Sequence, residues 1–150
     1  MDCTKNEEYI ICSDTVKTIL WNLEKDTAPY LIADLQKDLR IEDVKENISC
    51  VKAHPTSDSL FAYGTNRGLL ALSDMRTSSK NLKYVGSYKP LSFKVESPKE
   101  KGNFFTQMIS SYSSMVFLGN SRYIAARDFL TVKVWDVAKT DRPVACVTIQ

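Results

Sequence analysis

The chain has 150 residues, room for one ordinary domain or a few repeat units, and its 43% apolar and 25% charged residues are a globular balance that excludes wholesale disorder. A net charge of +2 is too weak to argue for nucleic acid on charge alone. The N-terminal "MDCTKNEEYIIC" lacks a basic n-region, and no apolar run approaches the roughly 20 residues a membrane helix needs, so the expected home is the cytoplasm or nucleus, with no membrane.

Strand signals follow one another along the chain. "EYIICSD", "TVKTILWNL" and "PYLIADL" come first. "ISCVKAHP", "SLFAYGTN" and "LLALSDM" come next, and "SSMVFLG", "RYIAARD", "TVKVWDV" and "PVACVTI" close the series. Each is short, rich in Val, Ile, Leu, Tyr or Phe, and bounded by Gly, Asn, Asp, Ser or Pro. Between the first two groups, "KDLRIEDVKENI" places Leu39, Val44 and Ile48 without a coherent helical face and reads as a loop.

The strand groups repeat. "SDTVKTILWNL" (13–23) aligns with "RDFLTVKVWDV" (127–137): a turn acid, Asp14 or Asp128, then an alternating strand ending in Trp21 or Trp135. "TNRGLLALSDM" (65–75) has the same layout, with Ser73 at the tryptophan position and Asp74 after it, as Asp136 follows Trp135. The copies stand further apart than the roughly 40–45 residues of a WD-type repeat, which implies insertions. These are assigned to 36–47, which is acidic, and 87–103, which is rich in Lys, Ser and Pro.

The pattern predicts an all-β fold: a partial WD-repeat β-propeller of about three four-stranded blades. Blade I spans 8–36 and lacks its inner strand; blade II spans 48–88; blade III spans 111–150. Trp21, Asp74, Trp135 and Asp136 are expected to be structural residues of the repeat. The tryptophans would fill the space between sheets, and the acids would organise turns.

The stretch 104–144 resembles the WD-repeat (B-type) regulatory subunits of protein phosphatase 2A. That family shows a paired-Phe start, "IISS", "GRY", "RDYLSVKIWD" and "RPV"; here stand Phe104-Phe105, "MISS", "SRY", "RDFLTVKVWD" and Arg142-Pro143-Val144. "AHPTSDSLFAYGTNRGLLALSDMR" (53–76) is similar to the family's "FHP" to "DMR" pattern, and "SDTVKTILWNLE" (13–24) to its "ADDLRINLWHLE". Thr15 replaces the family's second turn acid, Ser114 an Asp, and the insertion after "DMR" is longer and more basic than usual. The resemblance implies a propeller of about seven blades, of which this chain carries about three. It also implies that the scaffold-gripping arm lies outside this stretch.

The resemblance further implies a non-catalytic, substrate-recruiting subunit. Its partners would be the phosphatase scaffold and catalytic subunits and basic segments of phosphoprotein substrates. It implies an acidic upper face, on which Asp34 matches the family's "NIVDIK" and Glu42, Asp43 and Glu46 its "MEELTE". Asp38 joins this acidic group, and Asp14 and Asp128 are candidate partner contacts on the same face that also suit a structural turn role. Carboxylates clustered there would gather Lys/Arg-rich ligands. A generic WD-repeat interaction scaffold is the alternative reading.

The remaining features point away from chemistry. His54, the only histidine, precedes Pro55 and reads as a turn residue. "GTNRG" (64–68) matches no phosphate loop and reads as a hairpin turn. Cys3, Cys12, Cys50 and Cys146 form no C-x-x-C pair and read as reduced thiols, so neither a metal nor a cofactor is expected. Lys89, Lys94, Lys99 and Lys101, with Phe93 among them, are broken by Glu96 and Glu100 and read as a surface insertion rather than a nucleic-acid site. Ser97-Pro98 fits a proline-directed phosphorylation site. An incomplete propeller would expose apolar blade faces, so the isolated chain is expected to self-associate.

Overall fold

The structure is a computed structural model and describes residues 1–25, 28–35, 46–78, 91–93, 109–139 and 142–149. Among the described residues the strands form three antiparallel four-stranded sheets. Sheet I is β1 (Asp2–Cys3), β2 (Tyr9–Ser13), β3 (Lys17–Asn22) and β4 (Tyr30–Asp34), paired in that order. Sheet II is β5 (Ile48–Ala53), β6 (Leu60–Thr65), β7 (Leu70–Asp74) and β8 (Leu91–Phe93), with a helical turn α1 (Met75–Ser78) between the last two. Sheet III is β9 (Ser114–Leu118), β10 (Tyr123–Arg127), β11 (Thr131–Asp136) and β12 (Ala145–Thr148). The three inner strands lie side by side, β1 against β5 and β5 against β9, so the sheets fan out from a common axis as propeller blades do.

Two details differ from the sequence reading. Sheet I has an inner strand: the two residues of β1 pair Asp2 with Ile11 and Cys3 with Ile10. A two-residue strand is too short to show alternation in sequence. The outer strand of sheet II, β8, lies inside the stretch read as the insertion 87–103, and pairs Leu70 with Phe93 and Leu72 with Leu91.

Sheet II is covered on both sides, and its sequence shows why. In β6, Phe61 and Tyr63 join Ile11 and Ile32 of sheet I in one apolar cluster, while Ala62 joins Met115, Ile124 and Trp135 of sheet III, and Tyr112 just before it, in another. A period of two sends alternate residues to opposite faces, and here both faces are core. Gly64 completes the second face. A Cβ there would stand 2.9 Å from the Cys50 sulfur, 3.0 Å from Tyr112 Cβ and 3.1 Å from Met115 Cε, so only glycine lets sheet III approach this closely.

The strand registers equate the repeats residue by residue. Trp21 stands opposite Ile10, Ser73 opposite Phe61, and Trp135 opposite Ile124. Directly opposed residues share a face. Phe61 faces sheet I and Ile124 faces sheet II, so all three positions point toward the preceding side of the fan. Trp135 therefore packs on sheet II and is fully buried. At the Ser73 position the bulk moves across the ladder to Phe61, which is also fully buried. Trp21, expected in the core, is 48% exposed, because among the described residues no sheet stands on its side.

Candidate functional site

The strand directions gather one set of turns on what we call the upper rim. It carries the β2–β3, β6–β7 and β10–β11 turns, the starts of β5 and β9, and the ends of β4 and β12. Each turn closes in the same way: Asp14 N–H donates to Lys17 O (2.8 Å), Thr65 N–H to Leu69 O (2.9 Å), and Asp128 N–H to Thr131 O (2.9 Å). Asp14, Thr65 and Asp128 are thus equivalent positions. The middle turn is one residue longer, and Gly68 takes the positive φ of 81° that this needs.

The carboxylates on this rim do different work. Asp128 is 3% exposed and turned inward. It accepts from Leu130 N (2.9 Å), Thr131 N (2.5 Å), Thr131 Oγ1 (2.7 Å) and Lys133 Nζ (2.6 Å). Burial pushes its pKa up, but Lys133 and the Thr131 donors outweigh this and hold the carboxyl below its ordinary range. Lys133 also lies 6.0 Å from the centre of the Tyr112 ring. Burial, aided by the Asp128 charge, raises the Tyr112 phenol. Asp128 thus fills the structural turn role that the sequence also allowed: its lone pairs serve its own hairpin.

Glu46, half-buried, braces the equivalent turn of sheet II. It accepts from Thr65 Oγ1, and Thr65 is fully buried. A carboxylate from the segment before β5 thus sits at the turn where sheet II lacks an aspartate. The neighbouring backbone ties the segment down, with Asn47 N donating to Asn66 Oδ1 (2.8 Å) and Asn66 N to Asn47 O (3.0 Å).

Asp14, Asp34 and Glu46 are the described acidic candidates with access to solvent. Asp14 is exposed and accepts from Thr15 N (2.6 Å) and Thr15 Oγ1 (3.2 Å). Asp34 is half-buried at the end of β4, opposite Lys17. Asp38, Glu42 and Asp43 lie outside the described residues, as do Ser97-Pro98 and the basic-stretch lysines. Exposed Lys17, Arg67 and Arg127 share the rim, so its described part is mixed in charge. Sequence reasoning missed the apolar tip beside Arg127. Phe129 is 73% exposed, next to the exposed Leu130 and Ile109. The adjacent "FL" after a turn acid was the available signal.

The lower rim holds the repeat acids. Asp74 receives a bidentate contact from Arg76, with Nη2 at 2.6 Å, and its carboxyl is held low by that pairing. Asp136 accepts from Ala138 N (2.9 Å) and Arg122 Nη2 (3.3 Å), again a turn role. His54 sits on this opposite rim. Its Nδ1 accepts from Thr56 N (3.3 Å), its ring meets Phe117 edge-on at 4.9 Å, and burial lowers its pKa. Here too Asp2, unremarked in sequence, ties sheet I to sheet II through Ala53 N (2.8 Å) and Lys52 Nζ (2.9 Å).

The upper rim can accept hydrogen bonds and charge from basic groups. His54 is a strand length away from its carboxylates, so they build no nucleophile–base pair with it. Among the described residues no group of three His, Cys, Asp or Glu is placed to hold a metal ion, and no helix is long and apolar enough to cross a membrane. The four cysteines are free thiols. Burial raises the Cys50 thiol, against reactivity.

Comparison with known proteins is consistent across the chain. No family model matches it. It is 35% identical over 142 residues to the serine/threonine-protein phosphatase 2A regulatory subunit phr2AB of Dictyostelium discoideum, covering 95% of this chain and 28% of that protein. It is 33% identical over 144 residues to the B-type regulatory subunit of protein phosphatase PP2A from Candida tropicalis, covering 96% and 27%. It is 33% identical over 139 residues to the regulatory subunit sur-6 of Caenorhabditis elegans, covering 93% and 27%. The chain thus spans little more than a quarter of the length of these relatives. A chain in the crystal structure of the mitotic checkpoint complex superposes with a TM-score of 0.61 over 99% of this chain and 37% of its own, at 12% identity, a likeness of fold alone. The fold is that of a WD-repeat β-propeller.

Proposed function

We propose that this chain, homologous over almost its whole length to the B-type regulatory subunits of protein phosphatase 2A, serves as a non-catalytic, substrate-recruiting element of a type 2A serine/threonine phosphatase. The observation that carries the reading is this end-to-end homology, on a fold whose upper rim offers carboxylates for binding rather than for catalysis. Its partners are the phosphatase scaffold and catalytic subunits and basic segments of phosphoproteins.

In this reading Asp14 and Asp34 contribute to the acidic surface, together with Glu42 and Asp43, and Phe129 adds an apolar anchor beside it. Exposed aromatic side chains are common binding hot spots. Each exposed charge pair is worth only about 0–1 kcal/mol, so selection comes from several carboxylates acting together. Docking raises the effective concentration of the phosphorylated residue near the catalytic subunit, making its encounter nearly intramolecular.

The test is affinity purification of the tagged chain from cells, probed for phosphatase scaffold and catalytic subunits. Co-purification is expected. A folded chain that brings down neither subunit overturns the proposal. With the complex in hand, Asp14→Lys/Asp34→Lys should weaken capture of a Lys/Arg-rich phosphopeptide about tenfold, and added salt should weaken the parent complex.

A further inference from the structure

The upper rim changes character from one side of sheet II to the other. Over the junction of sheets I and II it is acidic. Phe61 and Tyr63 of β6 face sheet I, so the period of two turns Thr65 the same way, and Glu46 goes with it through the Thr65 hydroxyl. The Asp14 turn is tied to this junction, because Ile48 N donates to Thr15 O (2.7 Å). Lys17, the cation of that turn, stands across the ladder from Asp34.

Over the seam between sheets II and III the rim is basic and apolar. Three backbone contacts draw its parts together: Tyr112 N donates to Thr65 O (3.2 Å), Ser113 N to Arg127 O (2.8 Å) and Phe129 N to Ile109 O (3.3 Å). A Cβ at Gly68 would stand 3.2 Å from Ser110 O, so the β6–β7 turn lies against the same short segment, 109–113. Exposed Arg67 and Arg127 therefore flank that segment from sheet II and sheet III, and the exposed Ile109, Phe129 and Leu130 lie along it. The carboxylate next to Arg127 does not neutralise it, since Asp128 is turned inward onto Lys133 (2.6 Å). Both sheets that form the seam belong to this chain, so neither wall depends on a further blade.

We propose that this seam is a second docking subsite, taking a peptide segment in which an aliphatic or aromatic side chain stands beside Asp or Glu. The apolar side chain packs on Phe129, Leu130 and Ile109, and exposed aromatics are common hot spots. The carboxylates meet Arg67 and Arg127, whose guanidinium forks match carboxylate geometry. That the segment belongs to a phosphatase substrate rests on the function proposed above; the subsite itself rests on the seam. Acids over one junction and arginines over the next make the rim bipolar. A bound segment lies with its basic part toward sheet I and its acidic, apolar part toward sheet III, and like-charge repulsion rejects the reverse. Packed sheets stand about 10 Å apart, so about three extended residues separate the two parts.

Fluorescence anisotropy on the purified full chain tests it with synthetic peptides. The first joins a Lys/Arg block, through a short Gly-Ser spacer, to a Leu followed by two Glu. The second has Gln for both Glu, and the third is the basic block alone. The first should bind about fivefold tighter than the second, and added salt should shrink that advantage. Arg67→Glu/Arg127→Glu should abolish the difference while the third peptide still binds and circular dichroism still reports folded sheet; Arg67→Gln/Arg127→Gln repeats this arm should the first variant not fold. Phe129→Ala should weaken the first peptide about tenfold, and should leave a version with Ala in place of Leu unaffected. Equal affinity of the first and second peptides for the parent chain overturns the proposal. So does an equal loss of all three peptides in the arginine variants, or tighter binding of a short single-stranded oligonucleotide than of the first peptide. A chain that prefers the first peptide but brings down no phosphatase subunit keeps the subsite and removes only the phosphatase reading.

Discussion

Asp128 accepts a 2.6 Å hydrogen bond from the ammonium of Lys133, and the two side chains are only 4% and 20% exposed. The pair joins the β10–β11 turn to the face of β11 that packs on sheet II, two residues from Trp135. Thr131 donates to the same carboxylate from both its amide and its hydroxyl, so the ion pair is held within a satisfied network rather than standing alone.

Removing half of that pair should be costly. Asp128→Ala leaves Lys133 largely enclosed without its counter-charge and frees the Leu130 and Thr131 amides. A loss of about 3 kcal/mol is expected, the lower end for breaking a buried pair, because Lys133 keeps some contact with water. Urea denaturation of the parent and variant checks it. Asp14→Ala, at the equivalent but exposed turn, should cost about 1 kcal/mol or less.

The same carboxylate sets an acid limit. Its folded pKa lies below the ordinary value of 3.8, as does that of Asp74. A depressed carboxylate contributes stability that is complete above the unfolded pKa and is lost as pH falls through the folded one. The melting temperature should therefore drop as pH is lowered from about 4 toward 2. Asp128→Asn should flatten part of that slope, starting from a lower melting temperature. An unchanged slope in the variant would assign the acid sensitivity elsewhere.

The two tryptophans should respond differently to truncation. Trp135→Ala empties a fully enclosed site and is expected to cost about 3–5 kcal/mol. Trp21→Ala should cost about 1 kcal/mol or less in dilute protein, where its face meets water. Chemical denaturation at low protein concentration separates the two. Emission from the Trp21→Ala variant should report a buried indole.

Gly64 should be intolerant of even one methyl group. The added Cβ would press on Cys50 Sγ at 2.9 Å, and overpacking of this kind costs about 1–3 kcal/mol. Cys50→Ala removes that sulfur, so the double variant Gly64→Ala/Cys50→Ala should be more stable than the sum of the single losses predicts. A double-mutant cycle by urea denaturation measures the coupling.

Much of the fold was legible because its signals are local. Alternation in "TVKVWDV" and "KTILWN" specifies strands, and Asp128 or Gly68 specifies a turn, from interactions within a few residues. The equivalence of Trp21, Ser73 and Trp135 was readable for the same reason, and the ladder registers bear it out. The inner strand Asp2–Cys3 was not legible, since two residues carry no period and their pairing depends on Ile10 and Ile11 being in place. Nor was β8, whose three residues lie in a stretch of loop composition.

The candidate site was legible by position but not by role. Asp14, Asp34, Glu46 and Asp128 do share one rim, because antiparallel strands of fixed length return their turns to the same edge; the repeat pointed to Asp14 and Asp128, and the family resemblance to Asp34 and Glu46. How each carboxylate is used depends on its neighbours in the folded sheet: Thr65 for Glu46, and for Asp128 a lysine turned toward it by strand register.

The sequence by itself determined the longer strands, the turns and the three-fold repetition, because each rests on alternation and backbone preference within a single hairpin. Only the tertiary structure decided which repeated side chain becomes core. Trp21 and Trp135 end matching strands, yet one is half exposed and the other enclosed. Burial belongs to the sheet standing opposite, and local sequence carries no information about that sheet.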